Sequence, residues 1–576
     1  MNVKNRQAKV IIPVFVMVLA LTVFTDNGAA ASAAAGIAIS RTQTTLYPGD
    51  SETLVLNNTT ASQKRSIKWK SSKKAVVSVT KKGKITAKKV GKAKISARLS
   101  GRKYTCSVTV KSPKVTYVEP TKAPAAEGNQ LFQSEVSKKM TSPAYWYNKV
   151  KDHDAVLMDR DDIIRQNELN IKEAATHMND LVNMNLSYNS DDSKASLSKA
   201  LMSEVRGDRI GTRTTIYRDG KALDTAAIDA WFAEMKANID NAVTSAADTK
   251  KYGICVRRAD VGMAPTADTV GWSATDPDSE FINSALNVNE PVITGITTAD
   301  GKFTYVYTLN CNGWVLSENI AICDSKEEWK AQWDLFGKDD VLIVTGSHVQ
   351  LEKSDFIPST SGLDLYFGTI LPLVPKSALT GVAERYPWYS YSVYIPVRGT
   401  DGKMVRQIAM IASNQNVSIG FPEMTVRNLI TAAFNCLGDR YGWGGMLGAM
   451  DCSLYTRNIY RIFGLEIARN TSWQTAMPCL RTDLSAMTEA DKKKAISKAT
   501  PGSLLMFPGH ITMYLGDDGG KQYVISDVGS LAESTGEDGV KSVYAVSINS
   551  LNVRRRSGNT WLQDMTWVVT PFESAK

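Results

Sequence analysis

The sequence predicts a multidomain chain: an all-β segment towards the amino end, a mainly helical segment, two strand-rich stretches and a carboxy-terminal α+β domain. Three observations carry this. A length of 576 residues suits three to five domains, each able to bury a core. The hydrophobic period changes along the chain, from two over 66–110 to between three and four over 163–243, back to two from about 252, and to between three and four again over 426–463. Finally, Pro113, Pro120 and Pro124 among small residues mark a linker over 113–129.

At the amino end, Lys4, Arg6 and Lys9 precede an apolar run from Val10 to Phe24 and the small residues Ala29-Ala30-Ala31-Ser32-Ala33. That is the three-part layout of a secretory signal, residues 1–33. The run is short for a membrane span and contains Pro13, so cleavage is expected rather than anchoring. No later stretch of eighteen apolar residues follows, and the mature protein is expected to be secreted, extracellular or cell-wall associated, with no membrane span. Seven scattered cysteines make no disulfide framework.

Short runs at Ser66–Lys70, Val76–Thr80, Lys84–Ala87, Lys94–Arg98 and Tyr104–Val110, punctuated by Gly83, Gly91 and Gly101, read as the strands of a sandwich over 37–112. Between Glu52 and Glu119 there is no acidic residue, against eighteen Lys and Arg. The whole chain carries +10, so the remainder is net acidic and the basic character is local. Such a module is drawn to polyanions, which outside the cell means teichoic-acid phosphates or other anionic wall polymers; a solvated face that binds nothing is the alternative. Nucleic acid is not the expected partner, because the basic strands lack interleaved aromatic platforms. Trp69-Lys70-Ser71-Ser72, Val76, Gly83-Lys84-Ile85-Thr86-Ala87 and Gly91-Lys92-Ala93 resemble the bacterial Ig-like group 2 domain. That resemblance implies a sandwich and a tether, and no chemistry.

Residues 130–248 read as mainly helical. Asp162 is placed to cap a helix starting at Ile163, and Thr225 to cap another whose face is Ile228, Trp231, Phe232, Met235, Ile239 and Val243. His153 and His177 lie here with no companions at ligand spacing and read as surface or packing residues. Strand patterns then fill 250–330, with Phe303, Tyr305 and Tyr307 alternating before Gly313-Trp314-Val315, and 340–412, with Trp388-Tyr389 and Tyr394-Ile395-Pro396-Val397. Aromatic residues in such barrels either fill the core or pack on a ligand.

The chemistry falls in 413–575. Thr425 is placed to cap a helix whose face is Val426, Leu429, Ile430, Ala433, Phe434 and Leu437. The glycine-rich Tyr441–Gly445 joins it to a second helix, outlined by Tyr455, Ile459, Ile462 and Phe463 and stopped by Gly464, with Cys452 in its first turn. His510, the only histidine downstream, heads the apolar run Ile511–Leu515, which turns at Gly516-Asp517-Asp518-Gly519-Gly520 into Tyr523-Val524-Ile525. Cysteine attacks only as thiolate, and a helix start and an imidazole are two surroundings that favour it. Taken singly, each residue defaults to packing, as do Cys106, Cys255, Cys311, Cys323, Cys436 and Cys479.

Leu437-Gly438-Asp439-Arg440-Tyr441-Gly442-Trp443-Gly444-Gly445, then Asp451-Cys452-Ser453, then Arg469 with Gln474, then Gly509-His510 through Gly516 resemble, in that order, the NlpC/P60 family of papain-like cell-wall peptidases. The resemblance implies a papain-like α+β domain that hydrolyses peptidoglycan stem peptides at the γ-D-glutamyl–diamino acid bond. It makes Cys452 the nucleophile and His510 the base, with Tyr441, Asp451 and Ser453 holding the free amine end of the peptide. A third catalytic residue, often histidine in the family, falls at Ser526 by alignment, while Asp527 beside it is the better acceptor for a ring N–H; both stay open. Leu454 and Ala468 stand where many members have glycine and proline. By the same resemblance 130–248 is a stabilising segment ahead of the enzyme, and 250–330 and 340–412 are SH3-like barrels.

Other chemistries find no constellation. The chain has no His-Glu-x-x-His, no Cys-x-x-Cys pair and no phosphate-cradling glycine loop, so no metal or other cofactor is expected. Two rival readings remain: a catalytically weak wall-binding or adhesion protein, and other acyl chemistry on the same fold, as amidase or transpeptidase.

Overall fold

Alternation of charged and apolar side chains builds the first folded unit. Its main strands are β1 (Gln43–Leu46), β2 (Ser51–Thr53), β3 (Lys68–Ser71), β4 (Val77–Val79), β5 (Lys84–Ala87), β6 (Gly91–Leu99) and β7 (Arg102–Val110), beside a small pair of Ala38–Ile39 with Leu56–Asn57. Hydrogen bonds order them β1-β7-β6-β3 in one sheet and β2-β5-β4 in the other, all but the short β1 and β2 overlapping the runs read from the sequence. Along β6, Ala93, Ile95, Ala97 and Leu99 turn inward while Lys92, Lys94 and Arg98 turn out. Gly83 cannot be replaced here: at φ +84, a Cβ would sit 2.3 Å from the Leu54 carbonyl and 3.0 Å from the Trp69 ring. A strand-only pattern missed the short helix Ala61–Ser66, which Thr60 and Gln63 close with a reciprocal capping box.

The computed structural model describes residues 37–46, 48, 51–111, 132–243, 249–379, 385–536 and 539–574. The expected signal, 1–33, and the linker, 113–129, lie outside the described residues. Contacts divide the chain into two compact units, residues 1–44 with 51–109, and residues 45–50 with 110–576. Among the described residues no helix is long and apolar enough to cross a membrane. All seven cysteines are free.

In the second unit the helical segment holds α1 (Arg160–Lys172) and α2 (Thr225–Asp240), which start three residues and one residue earlier, respectively, than the sequence reading had them. Asp159, not Asp162, caps α1, and Asp224, not Thr225, caps α2. In each case the residue is extended and its carboxylate accepts the N–H three residues on, so the upstream aspartate takes the cap and the later residue is wound into the first turn. The next stretch, 251–322, is a seven-stranded antiparallel sheet that includes β8 (Ile282–Leu286) and β9 (Pro291–Thr297). Residues 341–419 form small antiparallel sheets, among them the long hairpin of Ser390–Arg398 with Met404–Ala412.

The carboxy-terminal part has two helices against one sheet. These are α3 (Val426–Phe434), capped by Thr425 as expected, and α4 (Cys452–Arg461), followed by the short α5 (Thr471–Ala476). The sheet contains β10 (Cys479–Asp483), β11 (Leu504–Phe507), β12 (His510–Asp518), β13 (Lys521–Ala532), β14 (Val540–Ser550) and β15 (Trp567–Ser574), in the order β10-β15-β11-β12-β13-β14. The β12–β13 turn is tighter than the five residues expected. Gly519 and Gly520 alone make it, with φ of +54 and +75, because two left-handed residues match the twist of paired strands.

Segments read as separate domains share a core. Trp146, Val150 and Ile163 from the helical segment, Val341, Ile343 and Phe367 from the second strand-rich stretch, and Leu429, Tyr455, Ile511 and Ile525 from the last part belong to one buried cluster. A buried charge network ties the residue just before β9 to α4 as well. Arg457 lies 3.2 Å from Glu290 and 3.3 Å from Glu466, and Arg461 contacts both acids. Burial opposes the charge on Glu290, yet Arg457 and Arg461 outweigh it and hold the carboxyl below its usual range. Replacing Glu290 by Gln leaves two buried guanidinium groups facing one carboxylate. It is expected to lower stability by about 3–5 kcal/mol in urea unfolding, and an unchanged midpoint would show that the network contributes nothing.

Candidate active site

The site grows from the start of α4. Asp451 is the N-cap, extended at φ −99 and ψ 177, and its carboxylate accepts the N–H groups of Ser453 and Leu454. That cap leaves the N–H of Cys452, first of the helix's orphan donors, as the one it does not take. The other side of Asp451 meets Arg469: Nη1 is 3.0 Å from Oδ1 and Nη2 is 2.7 Å from Oδ2, a fork matched to a carboxylate. Ser453 joins them, donating to Asp451 at 3.1 Å and accepting from Arg469 at 2.8 Å. Burial opposes the Asp451 charge, but Arg469 and these donors hold its carboxyl below the usual range. Gln474, fully buried, donates to the carbonyls of Ser453 and Ala468 and fixes Arg469's strand of chain against α4.

The glycine-rich loop is pressed between this helix start and the seven-stranded sheet. Gly444 donates to Asp451 Oδ2 at 3.1 Å. It sits at φ +65, where a Cβ would come within 2.5 Å of Ile282 on β8. Gly445, at φ +98, would strike Leu454, Ala285 and Arg258. Arg258 donates to the carbonyls of Gly445 and Ala449, at 2.9 and 2.8 Å, and Ser284 accepts from Arg469 at 2.8 Å. Arg258 and Ser284 come from a stretch more than 150 residues upstream, and no local pattern in the sequence marks them. Thr471 was also missed, although it lies between the quoted Arg469 and Gln474; its hydroxyl bonds the Cys452 thiol.

Cys452 is the first residue of α4 and His510 the first of β12, each almost wholly buried. Ile511, the residue after His510, gives its N–H to the Cys452 sulfur, so the thiol lies at the head of β12. Thiol and ring are not hydrogen-bonded to each other. His510 Nε2 instead lies 3.1 Å from Ser526 Oγ on β13. With Nε2 engaged there, Nδ1 is the nitrogen left to act as base. Asp527 is not on the ring: neighbours along a strand point to opposite faces, and with Ser526 turned to His510, Asp527 is turned away. Both of its oxygens are buried without a hydrogen-bond partner among the described residues. Tyr441 is buried edge-on to Tyr544, close enough to Cys452 and Asp451 that their charges would oppose its ionisation, and its hydroxyl is uncommitted among the described residues.

Burial, not the helix start, sets the protonation. It pushes the Cys452 thiol up to about 12, with Asp451 adding to the rise, against the lowering effect of the Ile511 N–H, the Thr471 hydroxyl and Arg469. It pushes His510 down to about 3, helped by the Arg555 guanidinium. The resting site therefore holds a neutral thiol and a neutral imidazole, where the sequence reading had looked for a lowered thiol pKa. Among the described residues no group of three His, Cys, Asp or Glu is disposed to hold a metal ion.

Comparison with known proteins identifies the class. Residues 438–568 match the model of the NlpC/P60 family, and residues 33–110 match that of the bacterial Ig-like domain (group 2). The chain is thus a multidomain protein with an Ig-like amino-terminal domain and an NlpC/P60 domain near its carboxy end. An NlpC/P60 endopeptidase from Photobacterium damselae subsp. piscicida shares the fold, with a TM-score of 0.56 at 18% identity over 79% of this chain and 100% of its own. An NlpC/P60 family protein from Bacillus cereus ATCC 10987 gives a TM-score of 0.35 at 17% identity, over 51% of this chain and 83% of its own. No curated protein matches the sequence.

Asp527 generates a test. Burial pushes its carboxyl up to about 9, with Asp451 and Asp439 adding to the rise. At neutral pH the folded chain thus holds a proton that the unfolded chain has released. The stability tied to this group is full below about pH 4 and is lost as pH rises towards 9. Asp527→Asn is expected to flatten that slope and to be more stable than the parent at pH 8 by roughly 2–4 kcal/mol in urea unfolding. An unaltered slope would mean that the carboxyl is already ionised and compensated.

Proposed function

We propose that this protein is a secreted peptidoglycan endopeptidase that cleaves stem peptides at the γ-D-glutamyl–diamino acid bond through a thioester on Cys452. The observation that carries the reading is the Cys452 sulfur at a helix start, held at the head of the strand whose first residue is His510, with the ring's far nitrogen on Ser526. In the first half-reaction Sγ attacks the scissile carbonyl carbon while His510 Nδ1 takes the thiol proton, the Nε2–H being donated to Ser526. The oxyanion forms at the N–H of Cys452, where the partial positive charge of the helix start collects. Collapse expels the amine of the diamino acid, which takes the proton back from His510, and the γ-glutamyl group remains as a thioester. Water then gives a proton to His510, attacks the thioester and releases the carboxylate with the thiol restored.

Because both groups rest neutral, the proton moves during attack, as in a serine triad, rather than beforehand in an ion pair. Asp451 and Ser453 are committed to Arg469, so they shape the pocket that receives the amine end of the peptide while Tyr441 offers a hydroxyl to it. The strand-rich stretches at 251–322 and 341–419 serve as the SH3-like barrels of such enzymes, the first supporting the glycine loop through Arg258. A second reading, a weak enzyme retained for wall adhesion, draws on the depth at which the thiol is buried and on serine in place of a third histidine.

Mass spectrometry of defined stem peptides incubated with the protein and with Cys452→Ala separates the two. The enzyme reading expects one cleavage, between γ-D-glutamate and the diamino acid, and its loss by at least about 10³-fold in the variant. Equal slow turnover by both proteins would leave only the adhesion reading, and cleavage at another bond would move the activity to a different acyl chemistry.

A further inference from the structure

The register of the amino-terminal sheet gathers positive charge on one surface, which a count of lysines does not reveal. Along β6, Lys92, Lys94 and Arg98 stand on the solvent side. Lys68 and Lys70 on β3 point the same way, since Trp69 between them packs on the core. Lys103 on β7 joins them, because Tyr104 and Cys106 turn inward. These three strands are neighbours in the order β7-β6-β3, so six cations share one sheet face with no acidic residue among them. Lys68 stands directly opposite Arg98, a pairing in which like charges repel. None of the six takes part in an ion pair among the described residues; the pair of this unit is Arg41 with Glu52. The hydroxyls of Thr105 and Ser107 fill positions between the cations, while that of Ser96 is given to the Lys70 carbonyl at 3.3 Å. On the other sheet, β2-β5-β4, Lys84 is the exposed cation of the strands.

A face with repelling charges, no internal counter-ions and interspersed hydroxyl donors is matched by an extended anion that brings both negative charge and acceptor oxygens. We infer that this face binds a linear phosphodiester polymer of the cell envelope, laid across β3, β6 and β7. Two other polyanions fit less well. A membrane surface would call for apolar anchors, and the exposed large apolar residues of this unit, Val55 and Val90, stand outside these three strands. Single-stranded nucleic acid would call for stacking platforms, and Trp69 and Tyr104 are turned into the core. The inference does not rest on the peptidase reading, because it concerns binding by another unit of the chain.

The test is binding of the whole protein to synthetic poly(glycerol phosphate) over a range of salt. Six contacts predict that log K falls against log salt with a slope of about −4. The variant Lys68→Gln/Lys70→Gln/Lys94→Gln/Arg98→Gln is expected to lose at least about tenfold in affinity and to flatten the slope by about 3. A control with the same charge removed elsewhere, Lys81→Gln/Lys82→Gln/Lys88→Gln/Lys89→Gln, is expected to lose less than about threefold. Should the first variant unfold, Lys68→Gln and Arg98→Gln singly are each expected to weaken binding about two- to threefold with Tm unchanged or raised. Equal losses in variant and control would reduce the effect to bulk charge and overturn the inference. So would tighter binding to phosphatidylglycerol vesicles or to single-stranded DNA than to the polymer, or no binding of the parent at about 0.15 M salt. Cleavage of a short soluble stem peptide is expected to be equal in all these proteins, so failure here and failure of the proposed function are distinguishable.

Discussion

Arg469 closes both ends of its guanidinium on the two oxygens of Asp451 in a buried place, and the arrangement around Cys452 is built outward from that fork. Asp451 thereby keeps its charge although buried, and the same charge caps α4 and reaches the N–H of Gly444. One carboxylate thus fixes the helix that carries Cys452 and the loop in front of it. Removing either partner would leave a lone charge in the interior, which costs far more than an exposed ion pair contributes. Ser284 on β8 completes the grip, so the seven-stranded sheet helps to hold the arginine that braces the start of α4.

The same burial that makes this pair strong works against the thiolate. A helix start and nearby hydrogen-bond donors favour a charged sulfur, yet desolvation and the neighbouring Asp451 outweigh them, and His510 is driven to its neutral form by its own burial. The consequence is a resting pair in which thiol and imidazole are both neutral. Ser526 beside the ring suits that state: a hydroxyl adds no negative charge to a crowded acidic neighbourhood of Asp451, Asp439 and Asp527.

Much of this was legible in the residues. The α3 cap at Thr425, the α4 face of Tyr455 and Ile459, and the alternation along β6 are local patterns, and each appears where its period places it. The caps of α1 and α2 were displaced because two candidate capping residues lie within three positions, and only backbone conformation decides between them. The choice between Ser526 and Asp527 was not legible, since it turns on which face of β13 meets His510. Arg258, Ser284 and Glu290 were invisible for a different reason. Their partners are more than 150 residues away in the chain, and a shared core across segments has no local period to read.

The fork between Arg469 and Asp451 can be questioned most directly by measuring stem-peptide cleavage by Arg469→Lys beside its thermal unfolding. Lysine keeps the charge but cannot grip two oxygens at once, so the account predicts a folded protein whose kcat/KM is lower by about two to three orders of magnitude. A folded Arg469→Lys protein that cleaves at the parental rate would contradict it.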